Sequence, residues 1–211
     1  MKNKTTPLAS TVLAVLLCSC ATTTVENTWK LPGRSEGPVK KLAVIAVSEH
    51  WLVRPGLENR FAQDIAKRGQ PVITTVEILP LPKIKEDKNA AAALLREQGV
   101  DSVLIVRLLD KTTYDREVRA SPSAFVPYAT GYNSYGWGGY YDVAFMDMSV
   151  TYTSTRDDIL LDTSLFDLNT GQRLWSMVTK SVLKYNTDKL EVADDLADKV
   201  SAALLKDGLI R

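Results

Sequence analysis

Leu42-Ala43-Val44-Ile45-Ala46-Val47 decides the fold. Six apolar residues in a row, with no polar alternation, form the pattern of a strand buried on both faces. Such a strand belongs in a parallel sheet flanked by helices, and the next residues supply one. Pro55 suits a first helical turn, and Leu57, Phe61 and Ile65 recur at four-residue spacing on one side. Gly69 and Pro71 end that helix, and residues 72–76 form a second, shorter strand. Asp87 caps a helix over 89–98 whose Ala91, Leu94 and Leu95 face inward before Gly99 stops it. Val103-Leu104-Ile105-Val106 is the third strand, again continuously apolar. This β-α-β-α-β half predicts parallel strands joined by right-handed crossovers, with the first and third strands placed centrally.

The second half has a different rhythm. Ala144, Met146, Met148, Val150 and Tyr152 alternate with Phe145, Asp147, Ser149 and Thr151, as in an antiparallel strand buried on one face. Strands over 160–168 and 174–182 flank Asn169-Thr170-Gly171, a hairpin turn. Trp175 and Met177 alternate along the second of these and read as core. A stripe of Ala193, Leu196, Ala197, Val200, Ala203 and Leu204 then traces a closing helix ended by Gly208. The fold class is α/β: a mixed sheet of about six strands, its β-α-β-α-β half followed by an antiparallel β-β-β meander and a C-terminal helix.

The amino terminus has another character. Lys2 and Lys4 precede an apolar stretch from Leu8 to Cys18, long enough for a signal peptide and too short to span a bilayer. It ends Leu17-Cys18-Ser19-Cys20, which resembles the bacterial lipobox, with Cys20 the residue whose thiol takes a diacylglycerol. The competing reading is ordinary cleavage after Ala21, with Ser19 and Ala21 as the small pair. Residues 1–19 are thus assigned to a lipoprotein signal peptide, 20–40 to a lipidated flexible tether and 41–211 to one α/β domain. The tether has no periodicity, and a coil of that length spans about 25 Å on average. Trp29 within it either docks on the domain or touches the membrane interface. Ala21 follows the cysteine where an Asp would resemble the inner-membrane retention signal, so the outer membrane, facing the periplasm, is the preferred address.

Composition narrows the function. The 211 residues are 45% hydrophobic and 24% charged, as in an ordinary globular chain. Lys+Arg 26 against Asp+Glu 25 gives no field to draw nucleic acid. One histidine and two leader-proximal cysteines leave no His-rich metal site, no cysteine nucleophile and no disulfide scaffold. No glycine-rich phosphate loop follows any predicted strand. No metal or cofactor is implied.

The β-α-β-α-β start, a Tyr/Gly-rich excursion, Asp167-x-x-Thr170-Gly171-x-x-x-Trp175 in the meander and a closing Asp207-Gly208-Leu209 together resemble a group of uncharacterised bacterial envelope lipoproteins. The layout over roughly residues 40–210 is also similar to the amino-terminal domain of the Tol-system propeller protein and to the core of the curli secretion lipoprotein. The resemblance implies a fold and a location and lends no chemistry.

Two candidate sites follow. The first is the aromatic/Gly-rich loop at 120–142. Its residues 120–141 carry no charge, and Tyr128, Tyr132, Tyr135, Trp137, Tyr140 and Tyr141 interleave with Gly131, Gly136, Gly138 and Gly139. Large rigid aromatics on a pliant backbone suit a contact arm for an envelope protein, another copy of the chain, or a membrane or glycan surface, with protein contact preferred. The bland alternative is a hairpin loop whose aromatics fold back on the sheet. The second is the loop after the first strand, where open parallel sheets bind ligands. Ser48, His50 and Arg54 line that possible crevice, although an ordinary loop histidine explains His50 as well. Asp157-Asp158 reads as a solvated turn, and Asp194-Asp195 as the polar face of the last helix. The resulting expectation is a non-enzymatic, membrane-anchored lipoprotein that binds or assembles envelope proteins. A small-ligand module is the alternative, and a hydrolase the third reading.

Overall fold

The computed structural model describes residues 23–48, 53–114, 156–184 and 187–211. In chain order its elements are β1 (Thr23–Lys30), β2 (Leu42–Val47), α1 (Val53–Lys67), β3 (Val72–Thr74), α2 (Leu81–Glu86), α3 (Lys88–Glu97), β4 (Ser102–Tyr114), β5 (Arg156–Asp167), β6 (Arg173–Lys184) and α4 (Lys189–Lys206). The described strands form one sheet in the order β1-β6-β5-β4-β2-β3. β2 runs parallel to both β3 and β4, whereas β4–β5, β5–β6 and β6–β1 are antiparallel. The mixed α/β class is the one the sequence predicts, and β2 and β4 both have neighbours on each side.

The unbroken apolar run of β2 now has its cause. Ala43, Ile45 and Val47 face a cluster containing Ile84 of α2 and Ala91, Ala92 and Leu95 of α3. Leu42 and Val44 face the opposite cluster, with Phe61 and Ile65 of α1 and Leu196, Ala197, Val200 and Leu204 of α4. Two faces must be filled, so the strand cannot alternate. Phe61 has no exposed surface, and truncating such a ring in a packed core costs about 3–5 kcal/mol. The Asp87 carboxylate caps α3 by accepting from Asn89 N and Ala90 N, both at 2.9 Å. The β5–β6 turn is built the same way. Asp167 Oδ1 accepts from Asn169 N at 2.9 Å and Thr170 N at 2.7 Å, and Gly171 adopts φ 71, which a Cβ would strain.

Several expectations need correction. The tether predicted over 20–40 is not flexible throughout, because Thr23–Lys30 is an edge strand paired with β6 from Thr23↔Ser181 to Lys30↔Trp175. An irregularity between Val25 and Asn27 breaks its alternation, and most of its side chains are exposed, so no apolar period marks it. Trp29 docks on the domain, beneath the Arg173 guanidinium at 4.8 Å from the ring centre. The short helix α2 is absent from the sequence reading. Asp157 and Asp158 lie in β5 rather than in a turn. The strand predicted around 144–152 falls outside the described residues.

Candidate functional site

At the carboxyl end of β2, α1 opens with Arg54 turned inward, 6% exposed, and Glu58 one turn later with none. Arg54 Nε donates to Glu58 Oε1 at 2.7 Å. Its Nη2 donates to Thr75 Oγ1 at 2.8 Å and to Leu79 O at 2.9 Å. Glu58 also accepts from Ala46 N at 3.1 Å and from Thr75 N at 2.6 Å. The Thr75 hydroxyl further lies 3.1 Å from Val44 O. A buried ion pair is tolerated only when the remaining lone pairs and protons find partners, and backbone groups of β2 and the chain after β3 provide them here. The network therefore pins α1 to the end of the sheet.

This is the switch point of the parallel half, since α1 leaves β2 on one face and α2–α3 return on the other. Of the three crevice residues read from the sequence, Ser48 follows β2 and is half-buried. Arg54 is turned inward, its guanidinium donating to Glu58, Thr75 and Leu79. His50 lies outside the described residues, as do Cys20 and the aromatic set Tyr128, Tyr132, Tyr135, Trp137, Tyr140 and Tyr141. Glu58 was missed by sequence reasoning. Its four-residue spacing from Arg54 was visible, but that spacing usually marks a surface pair.

A second polar cluster occupies the far end of the antiparallel half, where Tyr114 of β4 pairs with Arg156 of β5 and Arg156 with Lys184 of β6. The aromatic, uncharged stretch lies in sequence between Tyr114 and Arg156, which pair at this one end of the sheet. Arg156 grips Asp158 with two bonds, Nε to Oδ1 at 2.7 Å and Nη2 to Oδ2 at 3.0 Å. Lys180 reaches the same carboxylate at 3.0 Å. The Arg156 guanidinium also lies 5.0 Å over the Tyr114 ring. Beside them Asp157 pairs with Lys111 at 2.9 Å and accepts from Thr113 Oγ1 at 2.9 Å. Hydrogen bonding from Arg156, aided by Lys180, holds the Asp158 carboxyl below its usual range despite burial. The same bonds raise Lys180 and Arg156 above theirs.

Deeper in the sheet, Arg107 of β4 and Asp162 of β5 form a buried cross-strand pair at 3.4 Å, with Ser164 Oγ donating to Asp162 Oδ1 at 3.1 Å. On the helical side, Arg60 of α1 holds Asp194 of α4 at 2.6 Å, so the polar face of the last helix fastens two helices together. Among the described residues no group of three or more His, Cys, Asp or Glu could hold a metal ion. No helix among them is long and apolar enough to cross a membrane.

No protein-family profile matches the chain, and no curated protein matches it. Solved structures do. A PelC dodecamer from Paraburkholderia phytofirmans aligns over 90% of this chain and 99% of its own, at 15% identity and a TM-score of 0.49. Lipoprotein GNA1162 from Neisseria meningitidis aligns over 81% of this chain and 97% of its own, at 15% identity and a TM-score of 0.40. A DUF4136 family protein from Bacteroides thetaiotaomicron aligns over 88% and 95% respectively, at 8% identity and a TM-score of 0.37.

Proposed function

We propose that this chain is a lipid-anchored protein of the bacterial envelope, attached through Cys20, whose α/β domain binds or assembles other proteins without catalysing a reaction. The observation that carries the choice is the Arg54–Glu58–Thr75 network. Open α/β sheets place ligands at the carboxyl ends of their parallel strands, and among the described residues there Arg54, Glu58 and Thr75 are bonded to each other and to backbone. Use of the Arg54 guanidinium in holding the fold supports this reading over a ligand module or hydrolase. Residues 120–141 are inserted in sequence between Tyr114 and Arg156, a pair at the far end of the antiparallel half. Uncharged Tyr/Trp/Gly sequence supports contact with protein because it supplies large apolar area without charges to desolvate.

Deletion of 121–140 from the lipidated chain, followed by affinity purification from solubilised envelopes, tests this reading. It should abolish co-purification of envelope partners, or reduce the oligomer size if the partner is a second copy, while circular dichroism stays native. Unchanged partners together with unchanged oligomer size would refute the contact role.

A further inference from the structure

We infer that the end of the sheet formed by Tyr114, Arg156, Lys180 and Lys184 rests against the anionic headgroups of the membrane that carries Cys20, with the strands of the antiparallel half pointing at the bilayer. This rests on the proposed lipidation of Cys20 and adds an orientation to it.

The argument begins with chain length. β1 begins at Thr23, only three residues after Cys20. Three residues reach at most about 11 Å even when fully extended, so Thr23 cannot stand farther than that from the lipidated residue. Register then places Thr23 in the sheet. It pairs with Ser181, Ser181 with Ile159, and Ile159 with Lys111. Lys184, three residues beyond Ser181, pairs with Arg156, which pairs with Tyr114. Three strand residues advance about 10 Å, so the sheet end and the reach of the acylated cysteine come to the same height. The opposite end, with the Asp167–Gln172 turn, lies at the far side of strands twelve residues long.

Chemistry at this end fits headgroups. Tyr114 is 50% exposed and Val25, two residues into β1, is 47% exposed. Tyrosine is favoured at the interface between lipid and water, where its ring and hydroxyl meet different media. Arg156, Lys180 and Lys184 bring three cations to the end, and Asp158 neutralises one of them from a buried position. Lys111 is balanced by Asp157. Lys184 is exposed at the extreme end of β6, and a basic residue near an anionic leaflet contributes about 1 kcal/mol of attraction.

The mature chain has no thiol besides Cys20, so one introduced cysteine can carry a fluorophore. Lys184→Cys reports the sheet end and Gln172→Cys the opposite end. Each purified full-length lipidated variant is added to vesicles of phosphatidylethanolamine and phosphatidylglycerol containing a headgroup-nitroxide lipid. Quenching at position 184 with none at 172 is the expected result. Equal quenching, or quenching only at 172, overturns the orientation. Flotation of the chain with the vesicles, and its intact mass, are read in the same samples. A chain that neither floats nor carries acyl mass defeats the lipidation itself, whereas a floating chain with an unquenched label at 184 defeats only the orientation. Replacing phosphatidylglycerol by phosphatidylcholine should weaken quenching at 184; undiminished quenching refutes the role of the cations.

Discussion

The indole Nε1 of Trp175 donates to Asp207 Oδ2 at 2.8 Å, joining strand β6 to the residue that caps the last helix. Lys30 Nζ of the edge strand donates to the backbone carbonyl of the same Asp207 at 2.6 Å. Leu209 beyond it is fully buried and accepts from Val39 N at 2.9 Å. The Trp of the hairpin motif and the Asp-Gly-Leu that closes the chain are thus two halves of one junction among β1, β6 and α4. Trp175→Phe keeps most of the apolar contact and removes the donor, so it should lower stability by about 1–2 kcal/mol. Trp175→Ala should cost about 3–5 kcal/mol by opening the core. Urea midpoints of the two variants measure the difference, and a Trp175→Phe variant as stable as the parent would show that the indole bond contributes nothing.

The Arg54–Glu58 pair is expected to behave as a closed unit. Glu58→Ala leaves a buried guanidinium uncompensated and deprives Ala46 N and Thr75 N of their acceptor, costing about 3–5 kcal/mol. Arg54→Ala should cost a similar amount, and the double variant clearly less than the sum. A double-mutant cycle by chemical denaturation reads the coupling. Additive losses would mean the two side chains act separately and that the carboxyl end of β2 is not held by their pairing.

Acid should act through Asp158. Its folded carboxyl titrates below the ordinary 3.8, chiefly through hydrogen bonds from Arg156. The contribution is complete above the unfolded value and is lost as pH falls through the lowered folded one. Lys180 is shifted the other way, so its share is present below the ordinary 10.5 and disappears as pH rises through the raised value. Stability from this cluster should be flat between those limits. Asp158→Asn should flatten the acid limb of the stability–pH curve and leave the neutral plateau level but lower. An acid limb identical to that of the parent would remove Asp158 from the account.

The hairpin turn offers a local check. Gly171 sits at φ 71, so Gly171→Ala forces an L-residue into the left-handed region at a cost of about 1–2 kcal/mol. Asp167→Ala removes the acceptor of Asn169 N and Thr170 N and should cost about 1 kcal/mol. Thermal melts decide whether the turn is held this way, and a neutral Asp167→Ala would show that it is not.

What could be read from sequence follows from how each element gains its stability. β2, β4, α1 and α4 bury whole faces, so their apolar runs and stripes announce them. The Asp87 cap and the Asn169-Thr170-Gly171 turn are local chemistry, and local chemistry is written locally. β1 is held mainly by backbone pairing to β6 with exposed polar side chains, so it leaves no hydrophobic trace. Asp158 carries the same letter as a turn residue, and only the register that brings Lys180 beside it from β6 reveals a paired, buried carboxylate. Arg54 looked available for a ligand because nothing in its neighbourhood names Thr75 or Leu79 as partners. Contacts between distant strands are what single-sequence periodicity does not encode.

Membrane attachment through Cys20 is the claim on which the location, the contact role and the orientation all depend. Cys20→Ala should move the chain to the soluble fraction. More direct is the intact mass of protein extracted from its native membrane. The account predicts a chain beginning at Cys20 and heavier than its sequence by a diacylglyceryl group, with or without a further acyl chain. A mass equal to the unmodified chain from Thr22 onward, as cleavage after Ala21 would leave, would contradict it.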